Sequence, residues 1–145
     1  MKKFLIYTTL IASLFACKNN NDIQMSEYTN SDQTISYKIP SYMHKTKEDN
    51  SSVLFNGNEK FVHLMWTNNE NGWDLERFAQ HFTNDQHGLT LVEKNDTIIA
   101  YEIQKGVVKM PALAFSLHQR KNNSIMVMTM GIASKERQAI TNSIR

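Results

Sequence analysis

From Gln33 onward, apolar and polar positions alternate with a period of two: Ile35, Tyr37 and Ile39 are separated by Ser36 and Lys38. Pro40 has no N–H to give to a ladder and closes the run, so a first strand is predicted here. Residues 44–51 are charged and read as loop, and residues 52–56 as a short second strand. Asn56-Gly57-Asn58 carries the turn chemistry of a hairpin, which leads into a third strand over 61–67. In that strand Phe61, His63 and Met65 share one face, and Val62, Leu64 and Trp66 share the other.

Past a polar loop at 68–72 the period changes. Asp74 is an N-cap, and Leu75, Phe78, Ala79 and Phe82 recur at helical spacing on one stripe, so a helix should pack that stripe on the core. Strands follow at about 89–94, 97–104, 107–119 and 124–132, separated by Asn95-Asp96, Lys105-Gly106 and Lys121-Asn122-Asn123. Such short connections join antiparallel neighbours, so the four form a meander. Ser134 offers a cap for a last helix running to Arg145, with Ala133, Ile140 and Ile144 on a narrow apolar stripe. The fold class is therefore α+β: one antiparallel sheet of about six or seven strands with two helices packed on it. A single domain over residues 33–145 is expected.

The segment before the domain differs in kind. Met1-Lys2-Lys3 precedes an uncharged, largely apolar run from Phe4 to Ala16, which is the layout of a secretory signal and too short to span a bilayer. The run ends in Leu14-Phe15-Ala16-Cys17, which resembles the lipobox of bacterial lipoproteins, where a small residue precedes the cysteine that takes a diacylglyceryl thioether. Cys17 is the only cysteine in the chain and stands at the position the pattern requires. The resemblance implies removal of residues 1–16, lipidation of Cys17 and a membrane held through that lipid, since two or more acyl chains make a stable anchor. Residues 17–32 are polar, aperiodic and rich in Asn and Ser, and read as a tether. Lys18 follows the acylated cysteine where enterobacterial inner-membrane lipoproteins resemble one another in having Asp, so the likeness favours the outer membrane. The surface-export signals of Bacteroidota lipoproteins match at Lys18 and depart at Asn19, Asn20 and Asn21, which leaves the facing side open.

Charge changes the picture once the signal is removed. Loss of Lys2 and Lys3 takes 16 basic residues to 14, against 14 acidic ones, so the formal charge falls from +2 to zero. A neutral domain with interspersed signs offers no electrostatic footprint for nucleic acid. With Cys17 acylated, no thiol remains for a disulfide, a metal or nucleophilic catalysis. The chain has no Gly-x-Ser-x-Gly, phosphate-binding glycine loop, His-Glu-x-x-His or calcium-loop motif. A non-catalytic protein without a cofactor is therefore expected.

Four groups of residues are candidates for chemistry. Trp66 and Trp73 flank Asn68, Asn69, Glu70 and Asn71, and aromatic rings beside amides suit sugar or peptide recognition. The plainer alternative makes Trp66 core and Trp73 the hydrophobic staple of the Asp74 cap. Met126, Met128 and Met130 lie on one strand face, and with His63 and Met65 they offer thioether and imidazole ligands suited to Cu(I). Equally, methionine is an adaptable core filler and the stripe can simply face a helix. His81, Asp85 and His87 fit no standard metal spacing and read as surface residues, and His44 and His118 have no evident partner. Asp96-Thr97-Ile98 resembles the acceptor of Bacteroidota O-glycosylation.

Taken together, the strand ending Tyr37-Lys38-Ile39-Pro40, the segment Gly72-Trp73-Asp74-Leu75-Glu76-Arg77-Phe78-Ala79 and the closing strand-to-helix unit resemble the PsbP-like fold. That resemblance implies a binding or accessory role and carries no catalytic residues. The expectation is a membrane-anchored lipoprotein that binds a protein partner in the envelope, with an immunity-type role as one variant. The competing expectation is a small-ligand or copper carrier built on the Met/His residues.

Overall fold

The computed structural model describes residues 22–68 and 73–145. The signal, Cys17 and the start of the tether lie outside the described residues, as does Asn69. Strands β1 (Met25–Thr29) and β2 (Ser36–Pro40) make an antiparallel pair. The larger sheet contains β3 (His44–Glu48), β4 (Ser52–Gly57), β5 (Lys60–Asn68), β6 (Leu89–Lys94), β7 (Ile98–Lys105), β8 (Val108–Gln119) and β9 (Asn123–Met130). Its order is β3-β4-β5-β9-β8-β7-β6, antiparallel throughout, so the predicted meander is present and its last strand docks on the earlier hairpin. Helices α1 (Leu75–Thr83) and α2 (Ser134–Ser143) complete an α+β fold dominated by strands.

Both faces of the sheet are covered, and the side-chain alternation of β9 shows how. Ile125 and Val127 point to one face, where they meet Val62 and Leu64 of β5, Val53 and Phe55 of β4, Tyr37 and Ile39 of β2 with Ile35 just before it, and Ile140 of α2 with Ile144 just after it. Met126 and Met128 point to the other, where Leu75 and Ala79 of α1 pack with Ile99, Phe115 and Leu117. Backbone bonds between Ser36 and Arg145, at 3.0 and 2.9 Å, tie the last residue to β2.

Three expectations need correction. Met25–Thr29, expected within the tether, forms β1, because its backbone groups pair with β2 and Tyr28 packs on Tyr37 and Phe55. His44–Glu48, expected as loop, forms β3 at the edge of the sheet. A charged edge strand needs no apolar alternation, and its charges discourage pairing with another chain. At α2 the cap position is Ala133, with no side-chain hydrogen bond, and Ala133 is exposed while Arg137 takes the buried place on the stripe. Arg137 is accommodated there by Glu93, whose carboxylate accepts from its guanidinium at 2.9 Å.

The register also defines two ends. Met25 pairs with Pro40, and the chain continues through Tyr42 to His44, which pairs with Asn56; the Gly57/Lys60 turn, Met130 and Leu113 lie at the same end. This is the end at which β1 begins. The opposite, distal end carries Asn30 to Thr34, Asp49 to Ser51, Asn68, Asn95 to Thr97 and Arg120 to Asn123.

Candidate functional site

Trp66 follows Val62 and Leu64 on β5, so its ring lies on the β2/α2 side of the sheet, where it packs against the core. Its indole N–H donates to the carbonyl of Asn50 at 2.9 Å, which fixes the ring against the β3–β4 turn. Beside it opens a cleft of about 610 Å³ bordered by Asp32, Thr34, Asn68 and the Arg120 to Asn123 turn. Arg120 braces the floor, donating to the carbonyl of Thr34 at 3.2 Å. The Asp32 carboxylate is held below its ordinary range by the Thr34 hydroxyl, which donates at 2.7 Å, and then by the Thr34 N–H. Asp49, next to Asn50, is lowered chiefly by the N–H of Ser51. The cleft thus presents cations, a fixed anion, several amides and one aromatic edge, a set suited to a polar peptide or glycan surface.

Trp73 enters the opposite side. Trp66 packs on one core cluster and Trp73 on the other, so two tryptophans close in sequence end on different faces. Asp74 caps α1 by accepting from the N–H of Arg77 at 3.0 Å. Trp73 then meets Phe78 edge-on with ring centroids 5.4 Å apart, which is the N′-to-N4 staple. Its indole N–H is buried with no acceptor among the described residues. It borders a second distal cleft, of about 580 Å³, with the Glu76–Lys94 ion pair (2.8 Å) and Asn95, Asp96 and Gln119. Of the expected partner-facing residues, Trp66 and Asn68 share one cleft, Trp73 belongs to the other, and Asn69 lies outside the described residues.

The Met/His residues do come together. His63 pairs across the ladder with Met128 and Met65 with Met126, while Met130 pairs with Phe61. On the far side of β9 these methionines face Phe115, Leu117 and Leu113. Met126 is fully buried and Met128 is 7% exposed under α1, whereas Met130 is 38% exposed at the sheet margin. The inner pair therefore has the environment of core side chains. His63 is half-buried, and desolvation pushes its pKa below the ordinary histidine value against the opposing pull of Asp49. His81, Asp85 and His87 are exposed, and His81 rests edge-on against Phe82. Among the described residues no three His, Asp or Glu side chains converge as a metal site would need. Asp96 and Thr97 sit on an exposed turn whose Asn95 carboxamide accepts from the Thr97 N–H and hydroxyl, both at 2.9 Å.

Arg120, Asn50, Asp32 and Asn122 were not singled out from the sequence. Their signal was indirect: in antiparallel ribbons alternate turns fall at one end, so polar turns far apart in sequence collect there.

No family model matches the chain, and no curated protein matches its sequence. A crystal structure from Bacteroides thetaiotaomicron is similar, with a TM-score of 0.50 and 13% sequence identity over 84% of this chain and 48% of that one. The chain thus spans about half the length of that protein. Identity at this level bears on fold alone.

Proposed function

We propose that the chain is a lipid-anchored envelope protein whose α+β domain is a non-catalytic binding module, holding a protein partner at its distal end. The observation that carries this reading is the Trp66 cleft, where an indole fixed to Asn50 stands beside Asn68, Asn122 and Asn123 at the end opposite the start of β1. Supporting it are the lipobox-like Leu14-Phe15-Ala16-Cys17, the neutral charge without the signal, the absence of catalytic sequence motifs and the PsbP-like pattern. An outer-membrane lipoprotein with this layout holds its partner near the envelope surface, and neutralising an incoming toxin is one form of that role.

One competing reading is favoured by a specific arrangement, the cross-strand pairs His63–Met128 and Met65–Met126, which would serve a Cu(I) carrier. A single preparation separates the two. Native protein is crosslinked in its membranes, purified, and analysed for protein partners and for metal, beside Asn68→Ala and Asn122→Ala, whose exposed side chains are not needed for folding. A stoichiometric protein partner that both variants lose supports the binding module. Bound copper or a small ligand without a protein partner overturns it.

A further inference from the structure

The β7–β8 hairpin projects from the end of the domain at which β1 begins. Its last ladder contact with β9 is Leu113–Met130, so β8 runs five residues further, to Val108, roughly 16 Å at strand rise. On the other side β6 pairs only as far as Leu89–Ile103. The tip is a two-residue turn, Gly106-Val107, between the paired Lys105 and Val108. Positive φ at Gly106 (64°) and not at Val107 is the type II′ pattern, which Gly at the first central position permits.

What the turn displays is unusual for a protein surface. Val107 is 98% exposed, Val108 56% and Met110 42%, three apolar side chains on one convex tip. Lys105 and Lys109 flank them, and residues 105–111 contain no acid. Protein partners tend to bury aromatic and arginine anchors in pockets, and this tip is convex and aliphatic. A bilayer interface has the complementary form: acyl boundary for the valines and methionine, and anionic headgroups for ammonium groups carried on apolar stems. Cys17 precedes Met25 by eight residues, a contour of at most about 29 Å, so the proposed anchor and the tip can share one membrane plane.

We propose that the Lys105-Gly106-Val107-Val108-Lys109 tip docks shallowly into the anionic bilayer surface that holds the lipid anchor. The domain then stands tip-down, with both distal clefts facing away from the membrane. This rests on the reading of Cys17 as the lipidated residue.

The test uses the full chain as cells process it, reconstituted into vesicles of phosphatidylethanolamine and phosphatidylglycerol. Val107→Cys or Asn122→Cys supplies the one free thiol for an environment-sensitive fluorophore, Cys17 being blocked by its thioether. Both sites are exposed, so neither substitution threatens the fold. The expected result is blue-shifted emission at 107, quenched by lipid-borne nitroxide, and water-like, unquenched emission at 122. Replacing both Lys105 and Lys109 by alanine should lower the ratio of docked to undocked tip about 30-fold, each basic residue near an anionic surface contributing about five-fold. Water-like emission at 107 in protein that floats with the vesicles overturns tip docking and leaves the anchor standing. Protein that does not float at all removes the anchor, and the docking with it.

Discussion

Truncating the methionines of β9 one at a time gives a graded test of the packing described above. β9 is the central strand of seven, so a hole beneath it has little room to collapse. Met126 is fully buried between Met65 and Leu117, Met128 is 7% exposed between His63 and Phe115, and Met130 is 38% exposed at the margin. Buried Met→Ala changes destabilise by about 2–5 kcal/mol, from lost transfer energy plus the cavity left behind. The central position puts Met126→Ala at about 3–5 kcal/mol and Met128→Ala at about 2–4, while the half-solvated Met130→Ala should fall below about 1. Denaturant unfolding of the processed protein reads these values directly, provided the m-value is unchanged. In a thermal melt each kcal/mol corresponds to roughly 3–5 °C for a domain of this size. A loss at Met130 equal to that at Met126, or a loss under about 1 kcal/mol at Met126, would refute the assignment of the inner methionines to the core. Tight Cu(I) binding together with an unperturbed Met128→Ala melt would promote the metal carrier instead.

Two further predictions concern buried polar groups. Burial lowers the His63 pKa in the folded state, so the unfolded chain takes up protons first; stability should fall as pH drops below about 6.5 and level off once folded His63 is also protonated. His63→Leu should flatten that acid limb in urea titrations at successive pH values, and an unchanged slope would exclude His63 as its source. Tyr37 has a buried hydroxyl with no hydrogen-bond partner among the described residues, and burial raises its pKa strongly. Tyr37→Phe should therefore stabilise by about 1 kcal/mol, and a destabilisation of that size would show that the hydroxyl is satisfied in solution.

The parts of the fold that were legible in the sequence are those whose signal is local. The meander was marked by alternation between short polar turns, and α1 by the Asp74 cap and a four-residue stripe. β3 was hidden because an exposed edge strand of His-Lys-Thr-Lys-Glu has no apolar period to read. β1 was hidden because its place depends on pairing with β2, and Asn- and Ser-rich surroundings look the same in a tether. The burial of Arg137 depends on Glu93, 44 residues away, and no helical pattern contains that information. The site was half legible for the same reason. Trp66 and Asn68 could be named from one loop, whereas Arg120, Asn50 and Asp32 join them only through the register of three separate turns. Trp73, seven residues after Trp66, packs on the opposite face with α1, which the spacing of the two tryptophans does not reveal.

Both the proposed binding role and the proposed docking of the hairpin tip depend on a chain fixed to a membrane by Cys17. Metabolic labelling with a tagged fatty acid, in cells making either the native chain or Cys17→Ser, tests this most directly. The account predicts label on the native protein, with none on Cys17→Ser, which should remain unprocessed or be released in soluble form. Equal labelling of the two chains would contradict it.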